Sequence, residues 1–224
     1  MKTKSHILKV FLLLSVSLLP LLLPCVNATG EELTAKNYEN NKNTMGVVLV
    51  AVNWGRQWQC GKYENAQLES LEFERLADND KAKHQPSVLA LKSPSRIFVK
   101  PEFKNYGFLI EPGQYALADF SVKVAKSVRD VGYINARKEE LVKNGVAEGG
   151  SFAVGAGEVV YIGNFFLDCY QEPMPWRYYS QGKDGFGKHV AEFKEEYQFL
   201  ADKKVIFRLF KTQSFGKDYE LPNE

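Results

Sequence analysis

What is scarce in this chain narrows its chemistry first. Histidine occurs three times in 224 residues. One of the three, His6, falls in a leader segment described below, which leaves His84 in a charged loop and His189 at the start of a predicted helix. Both settings suit solvated surface histidines. No serine stands in a GxSxG motif and no HExxH occurs, so neither a serine triad nor a zinc protease has a local signature. Cysteine also occurs only three times. Two widely separated cysteines do not supply the three or four closely spaced ligands that zinc takes.

Phosphate loops are absent as well. Gly149, Gly150, Gly155 and Gly157 are not followed by Lys-Ser or Lys-Thr, and no helical pattern follows them. A P-loop needs both, because backbone N–H groups and a helix N-terminus must meet the anion together. The dinucleotide fingerprint fails at Val160, where its third glycine belongs. No block of like charge occurs either, so the chain carries no electrostatic footprint for nucleic acid. Asp78-Asn79-Asp80 resembles the start of a calcium loop but lacks the glycine and the terminal glutamate of an EF-hand. Glu139, Glu140, Glu195 and Glu196 sit beside lysines in helical segments and form solvated faces. No cofactor and no metal is called for.

The one long apolar run lies at the start. Lys2, Lys4 and Lys9 form a basic region without acids, and Phe11–Leu23 is an apolar stretch of about 13 residues. Val26-Asn27-Ala28 then places small residues at the −3 and −1 positions of a cleavage site. This is the pattern of a secretory signal peptide over residues 1–28. A permanent membrane helix would need roughly 20 apolar residues. Cys25 stands where a lipid-bearing cysteine would sit, although Pro24 replaces the small residue usual before it. Lipidation there would turn an exported chain into an anchored one. Otherwise the expected location is periplasmic or extracellular.

Loss of the leader removes three lysines, so the formal charge of +2 becomes −1. Only Cys60 and Cys169 remain, and two cysteines in an oxidising compartment predict one disulfide. A staple closing a loop of about 110 residues is worth on the order of 3–5 kcal/mol. Aromatic residues make up 13% of the chain, enough apolar surface to offset chain entropy in one domain with a true core.

Periodicity predicts mostly strands. Residues 29–44 read as a disordered polar arm. Gly46–Val52 (GVVLVAV) is a continuous apolar run of strand length, expected to be covered on both faces. Asn53–Cys60 alternates, with Trp54, Arg56, Trp58 and Cys60 on one side. Residues 66–76 fit either a strand or a short helix. Val88–Leu91, Arg96–Lys100 and Gly107–Ile110 read as short strands. Glu111-Pro112-Gly113 fits a type II turn. In Gln114–Lys126, Ala116, Ala118, Phe120, Val122 and Val124 share a face, and its length predicts a bulge near Asp119. Asn135–Asn144 reads as one or two helical turns ended by Gly145.

Ser151–Val154 and Glu158–Cys169 read as a hairpin closed by Val154-Gly155-Ala156-Gly157, with odd positions 159–169 inward and either a close backbone approach or a bulge at Gly163. Pro173–Gly187 reads as a loop. Lys188–Asp202 carries a helical stripe of Val190, Phe193, Tyr197 and Leu200, and Val205–Lys211 is a last strand. The whole predicts a mainly-β chain. A β-sandwich of about eight strands spans 45–216, with one C-terminal helix packed on it and a polar tail at 217–224. A Cys60–Cys169 bridge is expected among Trp54, Trp58 and Phe165.

LIEPGQYALADFSV (109–122) resembles the strand–Pro-Gly–strand element of bacterial envelope β-sandwich modules, the PEGA-like or carboxypeptidase-regulatory-like kind, and AGEVVYIGNFFL (156–167) is similar to later strands of exported bacterial proteins; the likeness covers about 30 residues. The resemblance implies attachment or binding in the envelope, and no functional residue carries over. The functional expectation is therefore an exported, non-catalytic binding or structural protein that contacts an envelope component or a protein partner. Its candidate contact residues are Trp176, Arg177, Tyr178 and Tyr179, since Trp, Tyr and Arg on a loop are what binding hot spots use. A secreted hydrolase without a local motif and a lipoprotein anchored through Cys25 are the alternatives, and membrane contact is expected only through that lipid.

Overall fold

A computed structural model describes residues 30–76, 87–94, 99–178, 182–212 and 214–215. The signal segment 1–28 with Cys25, the loop containing Asp78-Asn79-Asp80 and His84, and the tail 217–224 lie outside the described residues.

Two sheets face each other, and helices cover the outer face of one of them. The first sheet is antiparallel. Its centre is β4 (Tyr63–Arg75) against β7 (Gly113–Ser127). β3 (Gln57–Cys60) and β5 (Val88–Lys92) share the free side of β4, while β8 (Asp130–Ala136) and β11 (Ser151–Val154) share that of β7. The second sheet is mixed, in the order β1 (Glu31–Glu32), β6 (Phe103–Ile110), β2 (Gly46–Asn53), β12 (Val159–Asp168). β13 (Met174–Tyr178) and β14 (Val205–Phe207) take the two halves of the remaining side of β12. β12 runs parallel to β2 and β14. A short hairpin, β9 (Val142–Lys143) with β10 (Val146–Ala147), completes fourteen strands among the described residues. Helices α1 (Ala35–Asn41), α2 (Lys138–Leu141) and α3 (Gly182–Glu196) and a 3-10 turn at Gln198–Leu200 complete the elements.

β2 explains the layering. Val48, Val50 and Val52 enter the core between the sheets, together with Phe73, Phe120, Phe165 and Phe210. Val47, Leu49 and Ala51 point the other way, into a second core shared with Tyr161, Phe186, Phe193 and Leu200. Its continuous apolar run is therefore that of a strand covered twice, as expected. The expected C-terminal helix is present, but begins earlier than predicted. It also ends earlier, at Glu196: its stripe is present at Val190 and Phe193, while Leu200, also buried, belongs to the 3-10 turn that follows.

Several expectations are corrected. The polar arm is ordered: Thr34 opens α1 with a capping box, its Oγ1 accepting from Asn37 N (3.2 Å) while its own N–H donates to Asn37 Oδ1 (2.7 Å). Tyr38 is buried beside Phe199 at 5.4 Å between rings. The 151–169 segment is not a hairpin. β11 pairs with β7 and β12 with β2, so the turn at 155–158 carries the chain from one sheet to the other. Gly157 takes φ +73°, but Gly113 lies outside the left-handed region and the type II turn does not form.

Parity also switches at two bulges. The register skips at Gly163, φ +105°. Val160 and Ile162 before it, and Phe165 and Leu167 after it, all reach the inter-sheet core. In β7, Ala118 is the extra residue beside Asp119, where a bulge was expected. Tyr115 and Leu117 face the inter-sheet core on one side of it, and Phe120, Val122 and Val124 on the other. A simple alternation of even positions therefore holds only from Phe120 onward. Residues 66–75 resolve as strand and Leu76 lies just past its end; residues 99–100 of the predicted Arg96–Lys100 strand are not in one, and its other residues lie outside the described residues. Asn144 (φ +52°) and Gly145 (φ +77°) form the two-residue turn of the β9–β10 hairpin rather than a helix end.

Candidate binding surface

The expected disulfide is present. Cys60 at the end of β3 joins Cys169, directly after β12, with 4.5 Å between their Cα atoms. The bond therefore ties one sheet to the other. Around it the chain fits closely. Gly61 N–H donates to Cys169 O (3.1 Å). Gly61 has φ +58°, and a Cβ there would lie 2.1 Å from Gln171 O, so only glycine fits. Lys62 Nζ pairs with Glu172 Oε1 at 2.5 Å, an exposed contact that solvent screens.

Trp58 departs from its expected place. Trp54 is fully buried in the inter-sheet core, its Nε1 donating to Tyr106 Oη (2.8 Å). Trp58 is 63% exposed. The strict alternation over 53–60 breaks because residues 54–56 are not in a strand and Gln59 takes φ +55°. Trp58 therefore lies in solvent with Arg56 over its ring at 5.7 Å, and does not pack on the disulfide. On the other side of the bond, Tyr170 is 86% exposed. This end of the sandwich thus presents two large rings and a stacked guanidinium on backbone held by a cross-link.

The predicted loop residues enter here. Trp176, Arg177 and Tyr178 lie not on a loop but on β13, opposite Phe166, Phe165 and Asn164 of β12. A strand forms because β12 offers a free side beyond Asn164, and Pro175 sits at an outer strand where its missing N–H costs nothing. The side chains of these three residues, and Tyr179 as a whole, lie outside the described residues. Sequence reasoning missed Trp58 and Tyr170. The signal for Trp58 was hidden by a backbone excursion that composition does not reveal.

Other polar groups are placed differently. Glu72 and Asp119 face each other across β4 and β7. Burial, and then for Glu72 the neighbouring Asp119 and Glu74 carboxylates, raise both carboxyls above their ordinary range. They stand on the outer face of the first sheet and line neither of the two cavities. The larger, about 460 Å³, lies among Trp54, Val99, Lys100, Glu102, Phe103 and Lys104. The smaller, about 200 Å³, lies beside β8. Tyr161 Oη donates to Asn164 Oδ1 (2.6 Å) beneath α3, and burial pushes its hydroxyl pKa up. His189 lies in α3 rather than at its start, its ring 6.2 Å from Phe103 and its Nδ1 3.5 Å from Glu192. Glu140 Oε2 accepts from Arg137 N (2.9 Å), which makes it part of the α2 cap.

Among the described residues, no three His, Cys, Asp or Glu side chains are grouped to hold a metal ion, and no helix is long and apolar enough to cross a membrane. No protein-family model, curated protein or solved structure matches the chain.

Proposed function

We propose that this chain is an exported, non-catalytic binding or structural module of the bacterial envelope, and that its contact surface is the disulfide end of the sandwich. The observation that carries the reading is the exposure of Trp58 (63%) and Tyr170 (86%) on either side of the Cys60–Cys169 bond. Large rings held on immobilised backbone bind with little loss of conformational entropy. The disulfide itself supports an oxidising compartment, and the envelope-module resemblance of 109–122 and 156–167 points the same way. Membrane attachment enters only through lipidation of Cys25.

The test is retention of the chain on isolated envelope fractions. Alanine at both Trp58 and Tyr170 is expected to lower retention at least severalfold while the melting temperature shifts by no more than about 2 °C, since exposed side chains contribute little to stability. Trp176→Ala with Tyr178→Ala separates the β13 side chains as a second part of the surface. Retention unchanged in both double variants sinks the proposal.

A further inference from the structure

A strand at the side of a sheet carries unpaired N–H and C=O groups, and proteins guard such strands by shortness, charge, proline or irregular backbone. Every other outer strand among the described residues has a guard, β9 and β10 by their length of two residues. β1 is two residues, both glutamate. β13 contains Pro175, and β14 is three residues long. β6 beyond β1 has its Gly107 groups engaged by Leu33 N and Tyr197 Oη and carries Lys104. β3 has four residues with Gln59 at positive φ and ends in the disulfide. β5 ends in Lys92 before Pro94. β11 is bridged by Lys211.

β8 is guarded only at its first residue, by the Asp130 charge and the adjoining bulge. Its seven residues, DVGYINA, contain no lysine, arginine or proline and no positive φ. β7 is its one paired strand among the described residues. The only irregularity, an extra β7 residue at Lys126, falls opposite its first two residues. Val131 and Tyr133 are 47% and 53% exposed.

Gly132 adds an independent observation. Glycine weakens a strand interior relative to alanine, so it needs a reason. It has no positive φ, and a Cβ at this position would meet only Val124 Cγ2 at an ordinary 3.9 Å. Nothing among the described residues of one copy requires it. Glycine in mid-strand otherwise marks the approach of another backbone or ligand.

We infer that β8 is the interface with a second copy of this chain, pairing antiparallel with its own counterpart about a two-fold axis at Tyr133. Full overlap of residues 130–136 sets this register. Tyr133 then meets its own equivalent, Val131 faces Asn135, and Gly132 faces Ile134 of the second copy. Asp130, the only charged residue in the overlap, faces Ala136, so no charge meets its like within residues 130–136; just beyond each end the same register sets Arg129 opposite Arg137 of the second copy, with Asp130 of the first copy beside that arginine. The 200 Å³ recess lined by Tyr63, Val124, Lys126, Asp130, Gly132 and Tyr133 opens beside the glycine, where Ile134 of the second copy would stand. The interface is isologous and joins the two copies' first sheets into one continuous sheet.

Sedimentation velocity of the full chain carrying Cys25→Ala, with Cys60–Cys169 intact, tests this. A reversible dimer is expected with a dissociation constant on the order of micromolar, the range of small interfaces. Val131→Lys installs the missing guard at an exposed position and should weaken association at least roughly tenfold, with the thermal melt unchanged. Asn135→Lys is the second variant should the first disturb folding. Tyr133→Cys should cross-link to its equivalent at least roughly tenfold faster than Val128→Cys, since Val128 is more exposed but lies off the axis. A chain that stays monomeric, a dimer indifferent to both lysines, or equal cross-linking at the two cysteines each overturns the inference. So does capture of a different protein's strand by β8 in place of a second copy.

Discussion

The two sheets use the same backbone chemistry and meet opposite fates on their outer faces. The second sheet is covered by α1 and α3, and its β2 residues are buried on both sides. Among the described residues no helix layer covers the outer face of the first sheet, where Glu72, Asp119 and Lys92 stand beside Ser70 and Ser121. The difference is written in the side-chain period. GVVLVAV has no polar side, whereas YENAQLESLEFER alternates around a bulge at Glu69. A strand's sequence thus reports how many of its faces are dry.

The largest expected effect breaks the covered side. Phe193 is fully buried and its ring lies 6.0 Å from that of Tyr161. Phe193→Ala should cost about 3–5 kcal/mol in urea unfolding. A loss below about 1 kcal/mol would mean that α3 rests loosely and that the second sheet is as bare as the first. Next comes the bulge that switches parity within β12. Gly163→Ala forces a side chain to φ +105° and should cost about 1–3 kcal/mol. A neutral outcome would show that the switch does not need glycine, as those at Ala118 and Glu69 do not.

The smallest effect lies on the bare side. Burial and the facing Asp119 raise the Glu72 carboxyl above its ordinary value of 4.5. A raised carboxyl favours the protonated form in the folded state, so its charged form costs stability. That cost is absent below the unfolded value, grows as pH rises through the folded value, and is complete at neutral pH. Glu72→Gln should therefore raise the melting temperature at pH 7 by about 1 °C, a modest figure because the group is partly solvated. The gain should vanish in melts at a pH below 4.5. A gain that persists there would assign it to something other than charge.

Much of the fold was legible because its signals are local. The apolar run of β2, the stripe of α3, the bulges at Gly163 and beside Asp119 and the pairing of two cysteines each rest on residue type and spacing. Some misses were legible too: Thr34-x-x-Asn37 is a capping signal and Asn144-Gly145 a hairpin signal. The candidate surface was less legible. Trp58 looked buried because alternation was carried through Gln59, whose left-handed backbone no composition announces.

By itself, then, the sequence determined which segments extend, which faces are apolar, and that two sulfurs far apart in the chain would be joined. Tertiary structure alone decided that β11 and β12 belong to different sheets, that Trp176–Tyr178 form a strand, and that β8 is paired on one side only among the described residues. Strand identity follows from local periodicity. Strand partnership follows from which free row of N–H and C=O groups the rest of the fold leaves within reach.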